Sequence, residues 1–366
     1  MTTIEALYRE ELDRSRVIQL WLSAVAALVF AMVLVGGATR LTESGLSITE
    51  WQPVTGTLPP LNEAQWQTEF QKYQAIPQYR QLNAGMSLTD FKTIYLWEWA
   101  HRLIGRVIGV VFFVPFVWFL WRGWIPARRR AGLWTILTLG ALQGAIGWWM
   151  VASGLADRVE VSQYRLATHL VLACLIYVAL VWTAARWPDD EPQPGFAGVG
   201  DAAPPLTVRA GSVALVVLLL AQIYLGALVA GLRAGHAYNT WPLIDGGLVP
   251  QTSHLLFEVP LWRNFFENAL TVQFDHRMLG YTIGLLALLH FFNIVKRSPV
   301  FTGAALVAAV VIAQVALGIW TLLSGAALPL ALLHQAVAML TLTISVIHAA
   351  RAMPRKRIAL TSSRSG

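Results

Sequence analysis

Long apolar runs alternate with short polar segments along almost the whole chain. A helix that crosses the hydrocarbon core of a bilayer needs roughly 20 predominantly apolar residues. The pattern therefore predicts eight spanning helices, joined by polar loops. Their predicted bounds are 17–38, 94–121, 131–153, 163–186, 208–231, 268–295, 300–324 and 328–352.

The composition supports this interpretation. Of the 366 residues, 56% are hydrophobic and 13% are charged, and the mean hydropathy is +0.55. Soluble domains usually contain about 25% charged residues. We therefore expect an all-α, polytopic membrane protein whose helices are surrounded by lipid.

The net charge of +7 is spread over the ends of the apolar runs. The densest basic clusters, such as 128–130 and 355–357, fall on one side of the predicted membrane, which makes that side cytoplasmic. Both termini are then cytoplasmic, and no basic face for nucleic acid is predicted. The single cysteine, Cys174, cannot form an intramolecular disulfide.

An internal repeat covers nearly the whole sequence. Four helices per half is an even number, so both halves enter the membrane from the same side, and a pseudo-twofold axis along the membrane normal relates the two predicted four-helix bundles. The predicted segments are a cytoplasmic N-terminal segment 1–16, a first half 17–186, a linker 187–207, a second half 208–352 and a cytoplasmic tail 353–366.

The clearest copies of the repeat are residues 98–102, Glu-Trp-Ala-His-Arg, and residues 273–277, Gln-Phe-Asp-His-Arg. Glycines follow each histidine after four and eight positions. A His-Arg pair inside an apolar helix is costly in a bilayer, so two matched copies indicate function. The glycines either leave room for a flat ligand or form a GxxxG packing face.

Four histidines are predicted to lie at one depth, on four helices that run in the same direction. They are His101, His169, His276 and His334. Pairs of histidines on facing helices of a four-helix bundle are typical of bis-histidyl haem sites. Zinc or copper remains an alternative, although such sites usually recruit Cys, a carboxylate or a third His.

The two halves differ one helical turn before the first histidine. Glu98 precedes His101 by three positions, and Gln273 precedes His276, so each shares a helix face with its histidine. A buried carboxyl is expected to have a raised pKa and to exchange protons near neutral pH. Chemistry is therefore expected in the first half and electron transfer in the second. Glu98 could instead pair with Arg102, one turn later.

The remaining polar residues in the helices allow more than one interpretation. Arg102 and Arg277 could bind haem propionates or extend to the outer headgroups. His290 and His348 each follow a proposed ligand by 14 positions, so a further haem near the inner boundary is left open. His236 and His254 lie in the second outer loop and are expected to be ordinary polar residues.

Four motifs resemble the haem A synthase family of cytochrome oxidase assembly proteins, most closely its proteobacterial and mitochondrial branch. They are GGATRLTESGLSITEWQPVTGTLPP at 36–60, EWAHRLIGR at 98–106, QFDHRMLGY at 273–281 and LLHQAVA at 332–338. The resemblance implies an oxidoreductase that oxidises the C8 methyl of haem O to a formyl group by successive hydroxylations, giving haem A. It also implies a bacterial inner-membrane location.

The resemblance assigns roles to individual residues. It implies that His276 and His334 are axial ligands of a resident haem b, and that His101 and His169 bind the substrate haem. Glu98 matches the family's essential carboxylate. The implied partners are haem O synthase as donor, an unidentified electron partner and membrane lipid, and a homo-oligomer stays open.

Two other functions remain as alternatives from the residues alone. One is a di-haem b-type transmembrane electron carrier, similar to a quinol or ferric reductase. An acid beside one ligand pair argues against it, because a carrier gains little from such a group. The other is a transporter built from tandem repeats, although no pair of helices interrupted by Gly and Pro is seen at the midplane.

Overall fold

A computed structural model describes residues 3–187 except 54 and 157, residues 204–294, residue 298 and residues 300–354. The described residues are helical with connecting loops and one isolated β-bridge between Ile244 and Gly247. The helices are α1 Thr3–Leu41, α2 Glu63–Gln74, α3 Pro77–Gln81, α4 Leu88–Trp121, α5 Ala127–Leu155, α6 Gln163–Ala185, α7 Leu206–Gly231, α8 Ala234–Ala237, α9 Thr252–Leu255, α10 Asn264–Glu267, α11 Ala269–Phe292, α12 Phe301–Leu323 and α13 Leu328–Ala352, with short 3₁₀ turns at Thr55–Thr57 and Leu261–Arg263.

Seven helices in the described part of the chain are long and apolar enough to cross a membrane: α1 from Arg9 onward, α4, α5, α6, α7, α12 and α13. The all-helical membrane architecture predicted from the sequence is confirmed at this level. The remaining predicted span, 268–295, corresponds to α11, which has 24 residues and carries Asp275, His276 and Arg277 in its first half. These three polar residues explain why α11 is less apolar than the other long helices.

The long helices are described here as a first set, α1, α4, α5 and α6, and a second set, α7, α11, α12 and α13. In the first set, α1 packs against α4 and α6, and α5 packs against both α4 and α6. In the second set, α7 packs against α11 and α13, and α12 packs against both α11 and α13. The helix pairs α4 and α6, and α11 and α13, therefore lie diagonally across from each other within their sets. The two sets meet where α6 packs against α7 and α13, and where α1 packs against α13.

The predicted bounds are confirmed to within a few residues for most helices, with one clear difference at the N-terminus. The segment predicted as 1–16 belongs to α1, because the helix begins at Thr3 and continues without interruption to Leu41. Mixed charges such as Glu10 and Arg14 are one turn apart and form an ion pair along this extension. The predicted linker 187–207 and tail 353–366 lie largely outside the described residues.

The segment between α1 and α4, which is the predicted first outer loop, folds into a cap on α4 and α5. Its short helices α2 and α3 bury an aromatic cluster against the outer ends of those two helices. Tyr73 and Phe91 are fully buried there, and their ring centroids are 5.3 Å apart. Because this cluster is large and apolar, the loop is held in a fixed position over the first set of helices.

Polar contacts join the two sets at the outer surface and in the interior. Arg40 donates to Glu160 at 2.8 Å and to the carbonyl oxygens of Ala230 and Gly231, so it ties α1 to the end of α7. Arg233 pairs with Glu160 as well. In the interior, the hydroxyls of Tyr177 and Thr343 are 2.7 Å apart and link α6 to α13.

Candidate functional site

The four predicted histidines form two pairs, one in each set of helices. His101 lies on α4 and His169 on α6, whereas His276 lies on α11 and His334 on α13. Each pair comes from diagonally opposite helices, so the imidazoles point toward the interior of their own set. Each set of helices thus carries one predicted pair of histidines on its two diagonal helices.

Each of these histidines lies against a glycine on the preceding long helix. A Cβ added to that glycine would lie about 3 Å from the imidazole, which is closer than ordinary van der Waals contact. The four contacts are Gly36 with His101 at 2.9 Å, Gly147 with His169 at 3.0 Å, Gly226 with His276 at 3.2 Å and Gly318 with His334 at 2.9 Å. A side chain at any of these positions would have to displace the imidazole ring, by a larger amount at Gly36 and Gly318 than at Gly147 and Gly226.

Three of the histidines also contact a glutamine that precedes the glycine by four positions. The Nε2 atoms of these glutamines donate to the backbone carbonyl oxygens of the histidines, at 3.0 Å for Gln143 and His169, 2.9 Å for Gln222 and His276, and 3.0 Å for Gln314 and His334. The glutamine lies one helical turn from the glycine, on the same helix face.

The glutamine amide also lies over the imidazole ring. Gln222 Nε2 is 3.1 Å from Nδ1 and 3.4 Å from Nε2 of His276, and the other two pairs have nearly the same distances. An atom so nearly equidistant from both ring nitrogens lies over the face of the ring, because an in-plane position would collide with Cε1 between them. The amide therefore contacts both the backbone and the ring of its histidine.

The fourth histidine has a methionine where the others have glutamine. Met32 precedes Gly36 by four positions on α1, and its Cε would contact a Cβ at Gly105 at 3.3 Å. In the other half, Gln222 Nε2 makes the equivalent contact with Gly280, also at 3.3 Å. Met32 thus occupies the place of the glutamine beside His101, without an N–H to donate.

Glu98 is buried and fully engaged with its surroundings. Its Oε1 accepts from Arg102 at 2.6 Å, and its Oε2 accepts from the Ser47 hydroxyl at 2.8 Å and from the Ile48 backbone N–H at 2.9 Å. The ion pair with Arg102 is the alternative that the sequence left open, and it is the arrangement found. Glu98 is therefore an anchored carboxylate beside His101 rather than an isolated buried acid.

The two arginines that follow the histidines hold the outer loops. Arg102 donates to the carbonyl oxygens of Ile48 and Glu50 at 2.9 and 2.8 Å, and Arg277 donates to the carbonyl oxygen of Tyr238 at 3.0 Å. This role was not predicted from the sequence, which offered only propionates or headgroups. Both arginines therefore lie between a histidine pair and the loop above that pair.

The groove between α4 and α5 is more open than the equivalent groove between α11 and α12 in the second set. Gly140 and Gly144 on α5 are exposed, and a Cβ at either position would meet nothing within 4 Å. When α5 and α12 are aligned by their Gln-x-x-x-Gly segments, these glycines correspond to Val311, which is buried, and Val315. Accordingly, α4 and α5 pack against each other much less closely than α11 and α12.

His290 and His348 form a third pair near the inner ends of α11 and α13. Their Nε2 atoms are 2.9 Å apart, so the two imidazoles hydrogen-bond directly to each other. A metal bound between two imidazoles would hold the coordinating nitrogens roughly 4 Å apart, since each metal–nitrogen bond is about 2 Å long. The third pair is therefore closed by its own hydrogen bond in this structure.

The first two histidine pairs fit the axial coordination of haem. Each consists of two imidazoles on diagonal helices, and the glycines eight positions after His101 and His276 leave space: a Cβ at Gly109 would meet nothing within 4 Å, and one at Gly284 would meet only Ile312 at 4.0 Å. The buried oxygens Oε1 of Gln143, Gln222 and Gln314 have no hydrogen-bond partner.

The glutamines are the site residues that sequence analysis missed. The signal was present, because the chain reads Gln-x-x-x-Gly at 143–147, 222–226 and 314–318, each time in the apolar helix before a proposed ligand. A glutamine in an apolar run is costly, and a threefold recurrence at one spacing indicates a common role. Only the structure shows that the amide contacts the imidazole.

Comparison with known proteins identifies the same family throughout the chain. The sequence profile of the COX15-CtaA family, described as cytochrome oxidase assembly protein, matches residues 19–346. A protein of Rhodopseudomonas palustris strain BisA53 named haem A synthase is 56% identical over 342 residues, which cover 93% of this chain and 92% of that protein. Another of that name, from Bradyrhizobium diazoefficiens, is 54% identical over 358 residues, 97% of this chain and 96% of that protein.

Proposed function

This chain belongs to the COX15-CtaA family of cytochrome oxidase assembly proteins, and from that premise we propose how its two halves divide the work. The chain is a membrane oxidoreductase that converts haem O to haem A, the reaction for which its relatives are named. The first half, 17–186, binds haem O as substrate, and the second half, 208–352, holds a resident haem b. All eight long helices, including α11, span the membrane as two four-helix bundles related by a pseudo-twofold axis.

The openness of the first half is the observation that carries this division. A substrate haem must enter and its product must leave, whereas a resident haem can be enclosed. Gly140 and Gly144 leave a lateral groove between α4 and α5, and Val311 and Val315 fill the equivalent place in the second half. Haem O carries a long apolar tail, so a groove that opens toward lipid suits its passage.

The paired histidines hold the two haems. His276 and His334 are the axial ligands of haem b, which when bound supplies one-electron transfer. His101 and His169 bind the iron of the substrate haem. Each histidine is positioned by its contact with a glycine on the neighbouring helix, and this contact fixes the distance between the two helices.

Glu98 is the acid that distinguishes the substrate site. It lies one helical turn before His101 and is held as a carboxylate by Arg102, Ser47 and Ile48. A carboxylate in this place can accept a proton from the substrate methyl or position an oxygen nucleophile. Gln273, its counterpart in the second half, carries an amide and cannot act as a base. This difference is consistent with electron transfer alone in the second half.

Arg102 and Arg277 close the outer side of the two sites. Their guanidinium groups already hold carbonyl oxygens of the outer loops, and each lies next to a ligand histidine in the sequence. Arg277 Nε is buried without a partner, so it has a donor left for a haem propionate. These arginines thus bind the propionate edge of the haems and the loop together.

The location follows from the charge pattern. The basic clusters mark the cytoplasmic side, both termini are cytoplasmic, and the helices cross the bacterial inner membrane. Haem O synthase, itself a membrane enzyme, is the donor of the substrate, and an electron carrier takes up the electrons released by methyl oxidation. The surrounding lipid is the medium through which haem O reaches the groove.

Haem content tests the division between the halves. His276→Ala should remove haem B from the purified protein, as measured by the pyridine haemochrome assay, because an axial ligand is lost. His101→Ala should leave haem B in place and lower the combined content of haem O and haem A. Equal loss of haem B in both variants would contradict the assignment.

The di-haem electron carrier remains the second candidate, because both halves offer a bis-histidine site. It requires that Glu98 be dispensable for haem A formation in cells without another copy of the enzyme. The acid on one side only, with an amide on the other, favours the synthase.

A further inference from the structure

The strongest unexplained feature is the difference between Met32 and the three glutamines. Gln143, Gln222 and Gln314 hold their histidines with the same two contacts, to the carbonyl oxygen and over the ring. The amide nitrogens lie 3.1 Å from Nδ1 in all three cases. A geometry repeated on three different helix pairs is a built arrangement rather than a packing accident.

The physical effect of the glutamine is to restrict its imidazole. A histidine ring on a helix can rotate about the bond between Cβ and Cγ unless something covers its face. The amide covers one face and is itself fixed by its hydrogen bond to the histidine carbonyl oxygen. Rotation would require that bond to stretch or break inside a membrane, where no water replaces it.

Methionine cannot act in this way. The Met32 side chain fills the equivalent space beside Gly105, but a thioether has no N–H and a flexible chain with three rotatable bonds. His101 therefore lies against Gly36 on α1, and the side chain that stands in the place of the glutamine gives it no hydrogen bond. Of the four histidines, it is the one whose ring can turn at low cost.

We propose that Gln143, Gln222 and Gln314 are positioning residues that fix three axial ligands, and that Met32 makes His101 the exchangeable ligand of the substrate haem. The proposal rests on the assignment of the two haem sites given above. The resident haem is then clamped by two fixed imidazoles. The substrate haem is held firmly by His169 and loosely by His101, which lets it bind and leave.

Carbon monoxide reports this difference directly, because it binds a six-coordinate ferrous haem only after one axial imidazole has left. In dithionite-reduced protein, Gln222→Met should raise the rate of carbon monoxide binding to haem b by about tenfold, the low end of typical effects of residues that orient a metal-bound histidine. The low-spin electron paramagnetic resonance signal of haem b should shift as well, since it depends on the orientation of the imidazole planes. Gln314→Met is the second variant, in case Gln222→Met does not accumulate.

The reciprocal variant tests the other half. Met32→Gln places an amide where the thioether was, in protein reconstituted with haem O, and should slow carbon monoxide binding at the substrate haem by a similar factor. The matched control is Gln19→Met. Gln19 also donates from α1 to a backbone carbonyl, that of Ala184 at 3.1 Å, but contacts none of the four histidines. It should change neither the rate nor the spectrum.

The outcomes separate this inference from the site assignment. If Gln222→Met and Gln314→Met retain haem B with unchanged carbon monoxide binding and an unchanged resonance signal, the glutamines are not positioning residues. If Met32→Gln leaves the rate at haem O unaltered, His101 is not the exchangeable ligand. If instead His276→Ala keeps its haem B, the assignment of the resident site fails first.

Discussion

Glu98 is the single residue that most clearly separates the two halves of the molecule. Its carboxylate lies between Arg102 and the loop residues Ser47 and Ile48, so it is fixed in position one turn above His101. Gln273 stands at the same place in the second half, buried, with its Oε1 unpartnered. This difference of one functional group is the reason why we propose proton chemistry at the first site and not at the second.

Glu98→Gln is expected to stop the reaction without emptying the site. The amide keeps the shape of the side chain but loses the base, and general base catalysis typically contributes about 10² to 10⁴-fold to a rate. Haem O should accumulate and haem A should fall by about that range in the pyridine haemochrome assay, at unchanged haem B.

The matched control for this variant is Glu50→Gln. Glu50 lies in the same outer loop, and its exposed carboxylate pairs with Lys72. This control should produce haem A at the normal level. Normal haem A formation by Glu98→Gln would remove Glu98 from the catalytic residues and favour an electron carrier.

At the scale of helices, the difference between the halves lies in α5 and α12. Both carry the Gln-x-x-x-Gly segment that holds a histidine on the next helix. Only α5 has exposed glycines in and just before this segment, at Gly144 and Gly140. The equivalent positions on α12 are Val315 and Val311. Because α4 packs less closely against α5 than α11 does against α12, and because these glycines have no side chain, open space remains beside them in the first set.

Gly144→Leu should block this groove. The added side chain extends into the open space beside Gly144, so haem O is expected to enter poorly, while haem B is retained in the other half. Haem B should stay at its normal ratio to protein and haem A should be reduced, as measured by haemochrome difference spectra.

Gly132→Leu is the matched control for the groove. Gly132 lies on the same helix, 12 positions away near its inner end, and a Cβ there also meets nothing within 4 Å. The control tests whether a leucine on an exposed face of α5 is harmful in itself. A loss of haem A in both variants, or in neither, would argue against this groove as the route of the substrate.

At the scale of the whole molecule, the two halves are joined by a small number of polar contacts over an apolar interface. Glu160 is the centre of the outer contacts, since it pairs with Arg40 on α1 and with Arg233 just after α7. Tyr177 and Thr343 link α6 and α13 within the interior. These contacts set the relative position of the halves, and with it the distance between the two haem sites.

Glu160→Gln should loosen this junction. Hydrogen bonds to charged groups contribute about 1.5 to 3 kcal/mol when partly buried, so the free energy of unfolding in detergent is expected to fall by about 1 to 3 kcal/mol. Thermal unfolding followed by circular dichroism measures the change.

Glu63→Gln is the control for the junction, because Glu63 pairs with Lys92 at 3.2 Å on the exposed surface of the outer cap. Exposed ion pairs contribute about 0 to 1 kcal/mol, so this variant should unfold close to the wild-type temperature. Equal shifts in both variants would mean that Glu160 does not join the halves.

The sequence by itself determined that the protein is built from long apolar helices, and it predicted the four histidines that lie on them. Hydrophobic periodicity and length decide whether a segment crosses a bilayer, and these are properties of each segment by itself. The four histidines were found in the same way, because a polar residue in an apolar run is conspicuous and the internal repeat shows it twice. The family followed from motifs at 98–106 and 273–281.

Tertiary structure decided which neighbours each of these residues has. That Glu98 binds the loop at 47–48, that the arginines hold carbonyl oxygens of the outer loops, and that a glutamine covers three imidazoles depend on how separate segments approach one another. Such contacts join residues far apart in the chain, and no local pattern fixes their distances. The place of glutamine beside His101 is taken by Met32, and only the packing of α1 against α4 reveals this. In the sequence, Met32 is an ordinary methionine in an apolar helix.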